Sequence, residues 1–386
     1  MKLRYSTSTL QILDGPAGEK EKSYAEDGGM KTFIVRLLFL LLLLPAMAET
    51  EEWGAISGKS VYPVIESGYW IRYPTKIYWV NNESVLFVGG NDPQGGRPAN
   101  PGKLSLWNFN DSSVRIISEY ESSLCFSRGR ISYTTRIDRT TATYRVGNFG
   151  EEEEKTKLIE SSDKDRGIRY NKMSCKRYPE SLFPKGANIE LIEGHGFLGW
   201  EGGGDTPWPV GGEASVRYYK DAATPPIMLP LKRKDIRAPS SAFPPVYAEW
   251  ANVYVLQGEA EWGRPPTWAN FLPKDQPYPV YLIKPGSGEV TTLHAWYQKG
   301  VGNWQYFYTK AGLLVFSSAV RGYGLDDAGI YRVVDRGYEK IIKGIPKTGA
   351  LSPDGCRFAV GMQYIEQKGV RGPIQLKVID LCKGAK

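Results

Sequence analysis

The chain has 386 residues, with 49 Lys and Arg against 42 Asp and Glu, two His and a formal net charge of +7. At 41% hydrophobic and 24% charged residues the composition is globular, which excludes a disordered chain. Its 43 Gly, 26 Pro and 12% aromatics favour many short strands joined by turns over a helical protein, and the charge is too mild to mark a nucleic-acid binder.

The first feature along the chain is a targeting segment. Met30, Lys31 and Arg36 form a short basic stretch, the apolar run 37–44 follows, and Pro45-Ala46-Met47-Ala48 supplies a small-x-small cleavage signal. Eight apolar residues are too few to cross a bilayer, which takes roughly 20 in helical form. Residues 30–48 therefore read as a secretory signal peptide cut after Ala48, and the hydrophilic 1–29 as an extension upstream of the true start. The mature chain, 49–386, is expected to be one domain, periplasmic or secreted, with no membrane span after cleavage. Cys125, Cys175, Cys356 and Cys382 all lie in it, an even count that favours disulfides in an oxidising compartment and leaves three connectivities open. No pair has C-x-x-C spacing, so a redox or zinc motif is not indicated.

One pattern then recurs six times: strand a, tight turn, apolar strand b, loop, aromatic strand c, turn, strand d. The a and b pieces are 77–80 with 85–88, 124–126 with 131–133, 189–192 with 197–200, 246–250 with 253–256, 306–308 with 313–316, and 350–352 with 357–360. The c strands are 104–107, 142–146, 216–219, 280–283, 330–333 and 376–380; d strands fall near 114–117, 157–159, 227–229, 290–293 and 340–342. The sixth unit lacks a d strand, and the N-terminal stretch 54–65 has no unit of its own. That bookkeeping predicts an all-β fold, a six-bladed β-propeller of four-stranded blades closed by an N-terminal strand, which hides sheet edges that an open array exposes.

The last unit carries a resemblance. Leu351-Ser352-Pro353-Asp354-Gly355, then Phe358-Ala359-Val360 and Leu376-Lys377-Val378-Ile379-Asp380-Leu381, resembles the repeat of TolB-type, WD-like propellers, with a Ser-Pro-Asp-Gly turn between strands a and b. The likeness covers about 30 residues of the last blade and implies a fold, not a function. Propellers of that type typically bind proteins, and similar rings serve as enzymes. In an antiparallel b–c pair, Cys356 at the start of b and Cys382 at the end of c lie side by side, so a Cys356–Cys382 bridge is expected. Cys125–Cys175 is then left by elimination.

Alternating strand direction puts the a–b and c–d turns on one side of such a disc and the b–c and d–a connections on the other. The second side takes the long segments 90–103, 162–186, 204–215, 231–245, 258–279, 295–304, 318–328, 344–349 and 362–373, and function concentrates in long loops on rigid scaffolds. Two basic clusters dominate it: Lys164, Arg166, Arg169, Lys172, Lys176, Arg177 and Lys185, and Lys232, Arg233, Lys234 and Arg237. Trp208, Trp262, Trp268, Arg321 and Tyr323 fall on the same side. Trp and Arg there suit stacking on sugars or anchoring a protein partner.

Catalytic signals are thin. His195 falls in an a–b turn and His294 at the end of a d strand, away from any channel mouth, and neither has a ligand-spaced partner. The acidic, Gly-rich Glu201–Asp205 stretch offers oxygen ligands for Ca²⁺ without EF-hand spacing; no other cofactor is suggested. Asp326, Asp327, Glu259 and Glu261 are the carboxylates that a carbohydrate-active or lactone-type hydrolase could use. The reading that fits most features is an exported, monomeric binding module engaging an envelope or extracellular protein, or an anionic glycan, with no nucleic acid; a hydrolase and a structural envelope protein are the alternatives.

Overall fold

Strand b of the first unit reads as an unbroken apolar run because both its faces are covered. In Ser84–Gly90, Val85 and Phe87 enter one core and Leu86 and Val88 another. The computed structural model describes residues 60–72, 75–91, 102–120, 122–138, 140–158, 188–191, 197–200, 215–220, 224–232, 235–236, 246–258, 277–296, 305–317, 328–335, 337–365 and 371–384, all in one compact unit, Glu52–Lys386. These residues are almost entirely β.

The chain opens with β1 (Val64–Ile71). Sheet one holds β2 (Tyr78–Trp79), β3 (Ser84–Gly90), β4 (Lys103–Asn108) and β5 (Ser113–Glu119). Sheet two is β6 (Ser122–Ser127), β7 (Arg130–Ile137), β8 (Thr141–Asn148) and β9 (Glu153–Leu158). Sheet three is β10 (Asn188–Leu191), β11 (Phe197–Trp200), β12 (Ser215–Tyr219) and β13 (Ile227–Lys232). Sheet four is β14 (Val246–Ala248), β15 (Val253–Gln257), β16 (Pro277–Ile283) and β17 (Val290–Trp296). Sheet five is β18 (Tyr306–Thr309), β19 (Gly312–Ser317), β20 (Gly329–Val334) and β21 (Gly337–Lys343). Sheet six is β22 (Ile345–Leu351), β23 (Arg357–Ile365) and β24 (Arg371–Asp380). Within every sheet the strands pair antiparallel in chain order.

β1 supplies the fourth strand of sheet six. Val64, Ile65 and Glu66 pair with Ile379, Val378 and Lys377 of β24, and the strand then crosses to pair Trp70 and Ile71 with Gly90 and Gly89 of β3. Sheets six and one are thereby hydrogen-bonded into one eight-stranded sheet. The joining strand lies further along the chain than 54–65: only its first two residues fall in that stretch.

Five apolar cores join the sheets face to face. Leu86, Val88 and Leu104 meet Phe126, Ile131 and Tyr133 between sheets one and two. Val216 and Leu229 meet Tyr254 and Ile283 between three and four; Val255 and Val280 meet Tyr306 and Val315 between four and five. Phe307 and Phe316 meet Phe358 between five and six, and Phe87 and Trp107 meet Ala359 and Val378 between six and one. Polar contacts lock the innermost strands: Trp79 Nε1 donates to the Ala350 carbonyl and Trp250 Nε1 to the Tyr308 carbonyl, both at 2.8 Å.

The Ser-Pro-Asp-Gly turn is held internally and externally. Asp354 Oδ1 accepts from Ser352 Oγ (2.6 Å) and the Cys356 N–H (3.0 Å), while the Asp354 N–H reaches Asn82 Oδ1 (3.0 Å) and Arg357 Nη1 the Asn82 carbonyl (2.9 Å). The expected bridge is present: Cys356 and Cys382 are disulfide-bonded, Cα atoms 5.1 Å apart. Cys125 is also disulfide-bonded; its expected partner Cys175 lies outside the described residues.

Two expected loops are corrected. Residues 345–349 of the 344–349 loop join the expected strand at 350–351 to form β22, because the link from β21 shrinks to Gly344, whose φ of 132° few other residues adopt. Much of 362–373 belongs to β23 and β24, leaving 366–370 between them. Lys347 and Arg371 are therefore strand residues, and of the Glu151–Glu154 run the last two begin β9.

Candidate functional site

The strand directions define the side from which long connections leave. The ends of the b and d strands and the starts of the c and a strands share it, bracketing 92–101, 201–214, 259–276, 318–327 and 366–370 within sheets and 159–187, 237–245 and 297–304 between them. Every binding residue expected from sequence falls outside the described residues: Arg166, Arg169, Arg233, Arg237, Trp208, Trp262, Trp268, Arg321 and Tyr323. So do His195, Glu201, Asp205, Glu259, Glu261, Asp326 and Asp327.

What the structure fixes is the footing of these loops. After β13, the Lys232 N–H is capped by Asp235 Oδ2 at 2.6 Å, and Ile236, 1% exposed, forms an antiparallel bridge with Gly258 beyond the end of β15. Gly258 is required there: its N–H donates to the Pro279 carbonyl at 2.7 Å, and a Cβ would stand 2.5 Å from Pro279 Cγ. This bridge joins sheets three and four at the loop roots. Arg237 follows Ile236 directly, and the segment with Trp262 and Trp268 leaves from Gly258. The basic stretch 232–237 and the aromatic loop thus meet at one point, a juxtaposition that no spacing signal in the sequence reveals. The loop with Arg321 and Tyr323 leaves from the Ser317–Gly329 pair, where Ser317 is fully buried and a Cβ on Gly329 would meet the Ile342 carbonyl at 2.5 Å.

Burial raises the phenols of Tyr254, Tyr120, Tyr133 and Tyr247. Asp138, in the short β7–β8 turn, lies well below the usual carboxylate range because it accepts hydrogen bonds from the Thr141 hydroxyl (2.6 Å) and the Thr140 and Thr141 N–H groups (2.8 and 2.7 Å). His294 is exposed on β17, opposite Pro279. Among the described residues, no three His, Cys, Asp or Glu converge as metal ligands, and no helix is long and apolar enough to cross a membrane. Sequence reasoning missed the buried Lys377, whose Nζ lies 2.7 Å from Glu66 Oε1; a lone Lys in an apolar strand pattern was the available signal.

No family model matches the chain, and no curated protein matches its sequence. Among solved structures it is similar to the β-propeller domain of the Trilobed protease from Pyrococcus furiosus, at 10% identity over 78% of this chain and 92% of that one, TM-score 0.42. It is also similar to XC5397 from Xanthomonas campestris, a gluconolactonase, at 10% identity over 83% and 88%, TM-score 0.36. TolB from Acinetobacter baumannii matches at 9% identity over 83% of this chain and 55% of that one, TM-score 0.27. At these identities and TM-scores the likenesses carry no argument.

Proposed function

We propose that the mature protein is an exported six-bladed β-propeller, closed by β1, that binds a protein or an anionic glycan through its long-loop side. Four complete four-stranded sheets, a first group of four and a last group of three completed by β1 support the blade count. The single observation that carries the binding reading is the Ile236–Gly258 bridge. It sets the basic stretch 232–237, with Arg233, Lys234 and Arg237, beside the root of the loop that carries Trp262 and Trp268, and basic groups beside flat aromatic faces are the chemistry that holds anionic or sugar-bearing ligands.

The test is binding of the mature protein to a glycan array and to proteins captured from its own cell envelope, repeated with Arg166, Arg169, Arg233 and Arg237 reversed to Glu. Loss of binding that also weakens with added salt supports the reading. Retention of all binding by the reversed variant overturns it. Amino-terminal sequencing of the exported protein checks the address, with a start at Glu49 expected.

A further inference from the structure

Two successive connections on the long-loop side are short. β5 passes to β6 through 120–121, where Tyr120 is buried and its hydroxyl accepts the Leu124 N–H at 3.3 Å. β7 then turns into β8 through 138–140. Asp138 ties that turn. Its Oδ1 accepts the Thr140 and Thr141 N–H groups at 2.8 and 2.7 Å, its Oδ2 accepts the Thr141 hydroxyl at 2.6 Å, and its own N–H donates to the Thr141 carbonyl at 3.0 Å. The short link at Gly344 instead stands beside the hairpin of β23 and β24, strands of 9 and 10 residues. The long-loop side is therefore low where sheets one and two meet.

That low stretch carries cations. Tyr133 pairs with Arg145 and Arg136 with Thr143, two positions apart on β8, so Arg136 shares the face that Tyr133 turns to sheet one. Arg136 is exposed, and among the described residues no ion pair holds it. The half-buried Arg72 reaches the same boundary: a Cβ on Gly102 would stand 3.7 Å from its Cδ, and its charge opposes the larger effect of burial on the Tyr120 phenol. The nearby acids are engaged, Asp138 by its turn and Glu119 by Lys103 at 3.7 Å. The exposed large apolar side chains of the described residues stand elsewhere, Ile116 in mid-β5 and Met228 and Val334 at the short-turn ends of β13 and β20. Protein interfaces are anchored by such groups, whereas an open guanidinium without them suits a carboxylate-bearing sugar. We propose that a linear anionic glycan crosses the edge of the long-loop side over the boundary of sheets one and two, with Arg136 holding one of its carboxylates. This rests on the binding reading and selects the glycan within it: the ligand is a chain that continues past the long loops, not a single sugar held among them.

The test measures the affinity of the mature protein for uronate oligosaccharides of increasing length. Affinity is expected to rise with length and then level off. Arg136→Ala is expected to weaken the longest chains about tenfold, the loss of one charge-assisted contact, and to leave the shortest unchanged. A polyethylene glycol maleimide coupled to Thr140→Cys, at an exposed position of the β7–β8 turn, is expected to block the long chains alone. Circular dichroism checks that both variants keep the native fold. Affinity that does not depend on length, equal losses for the shortest and longest chains in Arg136→Ala, or binding to proteins alone overturns the proposal. Each of those outcomes leaves the binding reading standing, whereas a native protein that binds neither glycan nor protein removes both.

Discussion

Two glycines with the same backbone angle separate conformational need from packing need. Gly129 and Gly355 both have φ near +73°, but a Cβ on Gly129 meets open space while one on Gly355 would lie 2.4 Å from the Trp250 ring. Gly129→Ala should cost about 1 kcal/mol, the left-handed penalty alone. Gly355→Ala should cost about 3 kcal/mol or more, since overpacking adds to it; denaturant midpoints measure both. The Asp354-Gly355 turn was legible because Asp-Gly suits positive φ, whereas its contact with Trp250, 105 residues earlier, left no local mark. Asp138 makes a pH prediction. Its folded-state pKa is depressed by the hydroxyls and N–H groups of Thr140 and Thr141, so its stabilisation is present at neutral pH and is lost as pH falls below the ordinary value of 3.8. Asp138→Asn should therefore flatten the acid limb of a stability–pH curve while changing little on the alkaline side.

At the level of elements, the hairpins a–b and c–d were legible and the crossings were not. Neighbouring strands pair through local turns, so periodicity locates them; the first part of β22, 345–349, escaped because Pro346 and Gly349 resemble loop residues. β22 pairs on one side alone, with β23, and an edge strand of this kind is where a sheet tolerates a Pro. The candidate site was legible as loop positions and charge, because loop length is a local property. Its assembly through the Ile236–Gly258 bridge depends on two segments meeting across sheets, which composition does not encode. The β1–β24 pairing places Lys377, 3% exposed, opposite the half-exposed Glu66. Glu66→Gln should destabilise the fold by about 2 kcal/mol, below the range for a fully buried pair because Glu66 keeps contact with water. Lys377→Met should be neutral or stabilising, since it removes the buried charge itself. A double-mutant cycle distinguishes pairing from packing.

At the level of the molecule, the last sheet carries two restraints, the Cys356–Cys382 disulfide and the pairing of β24 with β1. The Cys356–Cys382 bridge spans a sequence separation of 26, worth about 3.5 kcal/mol in the chain-entropy account. It restrains β23 against the end of β24, but it does not touch the junction with sheet one. That junction belongs to β1, whose Asp380 N–H to Pro63 carbonyl bond (2.9 Å) and Ser67 Oγ to Leu376 carbonyl bond (2.7 Å) bind it to β24. Its far end binds β3, where the Arg72 N–H reaches the Val88 carbonyl at 2.8 Å. Gly89 and Gly361 are cut to fit it, a Cβ on either standing 1.8 Å from the Trp70 carbonyl or 2.1 Å from Ile71 Cδ1. Breaking the disulfide should therefore lower the unfolding midpoint and leave one cooperative transition. Removing 49–72 from the mature chain should instead expose the edge of β24 and uncover Ala359, Ile374 and Val378, which pack with Ile71. The truncated chain is expected to unfold in more than one step and to self-associate with rising concentration, read by circular dichroism and by light scattering. A monomeric truncated chain with a single native-like transition would show that β1 does not hold the two sheets together.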